Sequence, residues 1–73
     1  MPAGPKHRLI LGRAIREHRH HAGLSQEKLA EKSELSTVFV NRVESGKENI
    51  SVDNVMRMAR ALGAGLRDLF HDT

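Results

Sequence analysis

The chain has 73 residues, a formal net charge of +3 and no cysteine. This length allows one small domain and excludes a separate catalytic or regulatory domain, while the lack of cysteine excludes disulfides and thiolate zinc sites. Residues 1–28 hold six lysines and arginines against two acids, whereas residues 29–73 hold six against seven. The positive charge near the N-terminus therefore favours an anionic partner, with one face turned toward phosphate.

The first predicted elements are a short arm and a long helix. Residues 1–5 contain two prolines and a glycine, which predicts a disordered arm ahead of a single domain covering residues 6–73. Apolar residues at helical spacing predict a first helix from about residue 6 to residue 22, which Gly23 ends as a C-terminal cap. The side chains expected to face the core are Leu11, Ala14, Ile15, His18 and Ala22.

Two short helices and a turn follow. Ser25 is predicted to cap a second helix that has Leu29 and Ala30 as its core contacts. The pattern then breaks, and Ser36 is predicted to cap a third helix that runs to about Ser45. The inward-facing residues of this third helix should be Val40 and Val43, and Gly46 should close it.

The remaining pattern predicts two more helices. Ser51 can cap a fourth helix, whose core spacing is formed by Val52, Val55, Met58, Ala59 and Leu62. Gly63 and Gly65 should break this helix before a last short one from Leu66 to Phe70. No alternating β-branched or aromatic run predicts a strand. The expected fold class is therefore all-α, a compact bundle of five helices.

Three runs occur in a characteristic order: GLSQEKLAEKSELS, then VESGK, then ISVDNVMRMARALG. In this order and spacing they resemble the lambda-repressor and Cro, or Xre-type, helix-turn-helix family over about residues 9–70. The short length and the run Asn-Ile-Ser-Val-Asp-Asn are most similar to the controller proteins of restriction-modification systems. The resemblance implies a sequence-specific transcription regulator that binds an inverted-repeat operator in double-stranded DNA as a homodimer. Its third helix, 36–45, would lie in the major groove.

The resemblance implies that the outward side of the third helix meets base edges. Arg42 can pair with guanine and Asn41 with adenine, each good bidentate pair discriminating by about 1–3 kcal/mol. The methyl groups of Thr37 or Val38 can touch a thymine methyl. Two alternatives stay open at this point, since Val38 could be a scattered surface apolar residue and Arg42 a solvated charge or a phosphate contact.

Phosphate contacts are expected around the ends of the second and third helices. The resemblance implies five of them, at Gln26, Ser36, Ser45, Lys47 and Asn49. Gln26, at the start of the second helix, can give both its side-chain amide and its backbone N–H to a phosphate. Glu48 departs from the family, which often has a basic residue at this position. Either the contact with phosphate after Gly46 is therefore weakened, or the Glu48 side chain turns away from the phosphate. Arg19 and Glu44 match family positions that form a structural ion pair between the first helix and the end of the third.

A second departure lies in the predicted turn, where Glu34 stands at a position commonly occupied by glycine in the family. If the turn requires a left-handed conformation, glutamate there costs on the order of 1 kcal/mol relative to glycine. In some relatives an acidic residue near this turn touches RNA polymerase, which makes Glu31 and Glu34 a possible activation patch. The alternative is a solvated surface charge.

Dimerisation is expected because one module of this size reads too few base pairs for a genomic address. The apolar residues left after the core is filled are Met56, Leu66, Leu69 and Phe70. These form the expected interface, although Leu69 and Phe70 could equally close the core of the monomer. A protein-interaction module of the antitoxin type, with DNA binding secondary, is the alternative function.

Other classes of function lack support in the residues. The histidines His7, His18, His20 and His21 have no cysteine or paired carboxylate to complete a metal site, so no metal and no cofactor are expected. His18 should instead be a buried neutral imidazole with a hydrogen-bond partner. No nucleophile, base and orienting acid have recognisable spacing, so an enzyme is not expected. No apolar run reaches signal-peptide or membrane-span length, which predicts a cytoplasmic protein with no membrane partner.

Overall fold

The computed structural model describes residues 4–69. It contains five α-helices: α1 (Gly4–His21), α2 (Gln26–Ser33), α3 (Thr37–Glu44), α4 (Val52–Leu62) and α5 (Leu66–Leu69). The all-α prediction is confirmed, because every regular element between residues 4 and 69 is a helix. None of these helices is long and apolar enough to cross a membrane.

Helix α1 begins at Gly4, two residues before the expected start at residue 6. Pro5 therefore lies in the first turn, where a missing N–H breaks no helical hydrogen bond and a fixed φ suits the helix. The predicted boundary of the arm was wrong for residues 4 and 5, and residues 1–3 of that arm lie outside the described residues. Phe70, the expected last residue of α5, also lies outside them.

Three of the helices have a serine as their N-terminal cap. Ser25, Ser36 and Ser51 each have extended backbone angles, and each hydroxyl accepts the N–H of the residue three positions later at 3.0–3.2 Å. Each cap satisfies a backbone donor that the helix leaves without a partner, which is typically worth about 1 kcal/mol. The predicted starts of α2, α3 and α4 depended on these serines.

The centre of the core takes one side chain from each helix. The five largest side chains with less than 2% exposure are Ile15, Leu29, Val40, Met58 and Leu69. Leu69 was expected either at a dimer interface or in the core of the monomer. Its side chain is 1% exposed, so it closes the core and is not available for a dimer interface.

Three other residues were also expected in the core. Val52 is 67% exposed and Ala22 is exposed, while His18 is only half-buried. Val52 is the first residue of α4 and Ala22 follows the last residue of α1. At such terminal positions helical spacing alone does not decide burial, because burial depends on which other elements pack against the helix.

Helices α1 and α3 cross closely at Gly12. A Cβ at this position would lie 2.3 Å from the carbonyl oxygen of Val43 and 2.9 Å from that of Glu44. Glycine is therefore required for the observed approach, because real Cβ atoms essentially never come within 3.0 Å of such atoms. This crossing sets the position of the C-terminal end of α3 relative to the rest of the bundle.

Candidate nucleic-acid interface

Three residues, 34–36, connect α2 to α3. Glu34 has φ 60° and ψ 41°, the left-handed conformation, and its N–H bonds back to the carbonyl oxygen of Glu31 at 3.2 Å. The N–H of Leu35 bonds to the carbonyl oxygen of Ala30 at 2.8 Å, which completes the end of α2. Ser36 then caps α3, so the chain reverses tightly and presents α3 next to α2.

Helix α3 has one buried side and one exposed side. Val40, Val43 and Glu44 are buried. The four residues expected to meet base edges lie together on the exposed side: Thr37, Val38, Asn41 and Arg42. Residues separated by four positions are neighbours on a helix surface, so these four form one continuous face, which we call the reader face.

An ion pair connects α1 to the end of α3. Arg19 Nε lies 2.6 Å from Glu44 Oε2, and Arg19 Nη2 donates to Glu44 Oε1 at 3.0 Å. The two side chains are only 10% and 3% exposed. Arg19 Nη1 also donates to the carbonyl oxygen of Leu24 at 2.9 Å. The guanidinium therefore ties α3 both to α1 and to the loop before α2, which is the role that the resemblance implied.

The side chain of Gln26 extends this network to the reader face. Its Nε2 donates to Glu44 Oε1 at 3.0 Å, and its Oε1 accepts from Asn41 Nδ2 at 3.3 Å. The Glu44 carboxylate only accepts hydrogen bonds, so it determines which end of the Gln26 amide faces Asn41. Asn41 keeps its Oδ1 and one N–H for another partner, which is the pair of groups that adenine requires.

Gln26 was expected to contact phosphate through both its amide and its backbone N–H. The amide is engaged by Glu44 and Asn41 in this structure. The backbone N–H lies at the start of α2, where a helix favours an anion. The sequence reasoning missed the link from Gln26 to Asn41, and their separation of 15 positions offers no local signal for it.

Glu48 turns toward the reader face. Its Oε1 lies 2.7 Å from Arg42 Nε, and the carbonyl oxygen of Lys47 accepts from Arg42 Nη2 at 3.1 Å. Glu48 is therefore engaged with Arg42, and the two alternatives for the phosphate contact after Gly46 stay predictions.

The other residues expected near phosphate surround the ends of α3, where Ser36, Ser45, Lys47 and Asn49 are all exposed. Two of them also have structural hydrogen bonds. The Ser36 hydroxyl accepts from the Phe39 N–H, and the Ser45 hydroxyl donates to the carbonyl oxygen of Asn41 at 2.8 Å.

The structure matches known proteins over most of its length. A family model described as a helix-turn-helix domain matches residues 10–71. Control protein C.BamHI from Bacillus amyloliquefaciens is 36% identical over 67 residues, which cover 90% of this chain and 83% of that protein. The restriction-modification controller protein C.AhdI from Aeromonas hydrophila is 40% identical, with a TM-score of 0.87 over 89% of this chain and 98% of that one.

The chain belongs to the helix-turn-helix family. It is thus a DNA-binding transcription regulator, which agrees with the exposed reader face on α3. Another similar structure is that of the clp gene regulator ClgR from C. glutamicum, which is 31% identical with a TM-score of 0.85 over 89% of this chain and 84% of that one.

The remaining predicted residues of this helix-turn-helix protein lie away from the reader face. Glu31 is exposed and pairs with Lys28 at 3.1 Å, while Glu34 pairs with Arg57 at 3.4 Å. On the candidate dimer surface, Met56 and Leu66 are 44% and 41% exposed. Phe70, the other expected member, lies outside the described residues. Between residues 4 and 69, no three histidines or acids are grouped so as to hold a metal ion.

Proposed function

We propose that this regulator binds an inverted-repeat operator as a homodimer, with α3 of each subunit in the major groove. The supporting observation is the reader face. It places Thr37, Val38, Asn41 and Arg42 side by side on a helix whose other side is held in the core by the Arg19–Glu44 ion pair. A major groove admits one helix, and regulators of this class insert the second helix of the helix-turn-helix.

Each residue of the reader face has a proposed role. Arg42 pairs with guanine, Asn41 pairs with adenine, and the methyl groups of Thr37 and Val38 contact thymine methyls. Flanking phosphates are contacted by the residues at the helix ends: Gln26, Ser36, Ser45, Lys47 and Asn49. For Gln26 we propose the backbone N–H as the donor, because its amide already bonds to Glu44 and Asn41.

The proposed dimer follows from the size of the reader face. One short helix contacts only a few base pairs, whereas a two-fold dimer reads two half-sites about 34 Å apart on one side of the duplex. Met56, Leu66 and Phe70 are the proposed contacts between subunits. Similarity to C.BamHI and C.AhdI, which are themselves named control and controller proteins, favours a small regulator of that type.

The deciding experiment is selection of bound sites from a random duplex library with the purified protein at near-physiological salt. We expect enrichment of an inverted repeat with half-site centres about ten base pairs apart, which is one helical turn. Enrichment of a single half-site would contradict the dimer. No enrichment, together with a co-purifying protein that displaces DNA, would favour the antitoxin-type function instead.

We also propose RNA polymerase as a partner, with Glu31 and Glu34 as the contact. Glu34 supports this because a glutamate occupies a left-handed position with its side chain 81% exposed. Charge reversal, Glu34→Lys, should abolish activation in reconstituted transcription while preserving operator affinity. Glu17→Lys, the same reversal at an exposed position on α1, is the control. Loss of both functions in Glu34→Lys, or of neither, would contradict the proposal.

A further inference from the structure

We propose that Glu48 is a positioning residue that determines base specificity at the interface. Its carboxylate holds the Arg42 guanidinium so that the terminal nitrogens Nη1 and Nη2 remain for a base. This inference rests on the proposed function, because it requires Arg42 to meet a base edge. The resemblance offers no precedent for it, since the family often has a basic residue at this position.

The hydrogen bonds of Arg42 divide its donors into two groups. A guanidinium has five N–H donors in a fixed planar fork. Nε–H is engaged by Glu48 Oε1 at 2.7 Å, and one N–H of Nη2 by the carbonyl oxygen of Lys47 at 3.1 Å. Both N–H groups of Nη1 and the second of Nη2 remain. Guanine presents two acceptors, O6 and N7, and two parallel donors suffice for a bidentate contact.

The loop that carries Glu48 is anchored beside Arg42 by the backbone. The Lys47 N–H donates to the carbonyl oxygen of Arg42 at 2.9 Å, so the loop and the arginine are joined in both directions. Gly46, with φ +74°, makes this return possible, and a Cβ there would lie 2.6 Å from Leu9 Cδ2. The position of Glu48 is therefore set by the packing of the loop against α1 as well as by its attraction to Arg42.

Partial burial makes the pair more than a solvated surface contact. The side chains of Arg42 and Glu48 are 50% and 29% exposed. Ion pairs that are fully exposed contribute little because solvent and salt screen them. Because the Glu48 side chain is mostly covered, it constrains the guanidinium more strongly than a fully exposed glutamate would and limits the orientations that Arg42 samples before DNA arrives.

The charge of Glu48 also acts on binding without sequence preference. Phosphate attraction depends on the number of cations that neutralise the backbone, and it supplies essentially all non-specific affinity. A carboxylate 2.7 Å from Arg42 offsets that cation and repels nearby phosphates. Glu48 thus lowers non-specific affinity, in which Arg42 would otherwise contact phosphate, while preserving the geometry of the base contact that Arg42 makes at the operator. Both effects raise the ratio of specific to non-specific binding.

The test compares base preferences at every operator position for four proteins: the wild type, Arg42→Ala, Glu48→Gln and Glu17→Gln. Arg42→Ala should remove the preference at one position in each half-site, which identifies the base that Arg42 reads. Glu48→Gln should relax the preference at that same position by roughly fivefold, a part of the discrimination that a bidentate guanine contact provides. The preferences at the other positions should not change.

The salt dependence of DNA affinity is a second readout, which a purely structural role of Glu48 would not change. For a random duplex, Glu48→Gln should bind more tightly, and the slope of log K against log salt should steepen by up to about one unit as Arg42 becomes available to phosphate. Glu17→Gln removes the same charge from an exposed position on α1. It should change neither the base preference nor the salt slope to a comparable degree.

Each contrary outcome has a definite meaning. An unchanged preference at the position read by Arg42, or equal relaxation at all positions, in Glu48→Gln would overturn the role of Glu48. If Arg42→Ala relaxes no position, the reader role of Arg42 in the proposed function fails and the inference fails with it. If Arg42→Ala relaxes one position and Glu48→Gln does not, the proposed function stands and only the inference is overturned.

Discussion

At the residue scale, Glu34 shows how a single side chain can oppose the backbone conformation that the fold requires. Four described residues have positive φ, and three of them are glycines. The fourth is Glu34, whose left-handed angle ends α2 and allows the chain to reverse into α3. A side chain in this region brings Cβ close to the following carbonyl group, which costs roughly 1–2 kcal/mol.

Glu34→Gly should therefore stabilise the domain. We expect the free energy of unfolding, measured by urea denaturation, to rise by about 1 kcal/mol, because the steric cost exceeds the gain in unfolded-state entropy. The lost contact with Arg57 is a largely exposed ion pair at 3.4 Å and contributes little. Glu31→Gly is the matched control, since it lies within α2 and should be less stable than the wild type. A decrease for Glu34→Gly would refute this account of the turn.

At the element scale, the position of α3 depends on how closely α1 approaches it. Gly12 permits that approach, and the Arg19–Glu44 pair holds the same end of α3 by charge. Gln26 then connects Glu44 to Asn41 on the reader face. A displacement of α1 should therefore be transmitted to the residues that read DNA.

The substitution Gly12→Ala tests this dependence. Its Cβ would overlap the backbone of Val43 and Glu44, and overpacking of this kind typically costs about 1–3 kcal/mol. We expect a lower unfolding midpoint and weaker operator binding under conditions in which the variant remains folded. Gly65→Ala is the control, because a Cβ there meets Asp68 Oδ2 only at an ordinary 3.5 Å. Equal behaviour of the two variants would argue against a special role for the crossing.

At the scale of the whole molecule, the five helices contribute one large central side chain each to a shared core. Because Leu69 is buried in that core, Met56 and Leu66 are the apolar residues of the proposed dimer surface that the structure describes. Both are partly exposed, so a charge at either position should weaken subunit association more than it weakens the monomer fold.

The double substitution Met56→Glu and Leu66→Glu should therefore shift the protein toward monomers. Sedimentation equilibrium should show a dissociation constant raised at least about tenfold, which corresponds to about 1.4 kcal/mol, and operator binding should require more protein. Val52→Glu, the control, places one such charge at an exposed apolar residue of α4 outside the proposed surface. If Val52→Glu dissociates the protein and the double variant does not, the dimer surface lies elsewhere.

The sequence alone determined the number, order and approximate bounds of the helices. Serine caps at Ser25, Ser36 and Ser51 and left-handed glycines at Gly23 and Gly63 act within a few residues of the chain, so their signals are local. The outward position of the reader face also followed from helical spacing. The family, and with it DNA binding, was recognisable from three runs of sequence and was confirmed by comparison with known proteins.

Only the tertiary structure decided which side chains meet across those elements. The contacts of Gln26 with Asn41, of Glu48 with Arg42 and of Gly12 with the end of α3 join residues that no periodic pattern relates. Leu69 could have covered either the core or a partner until the packing of α5 was known. Hydrogen bonds, ion pairs and close packing depend on distances of a few ångströms between distant parts of the chain, and these distances exist only once the helices are assembled.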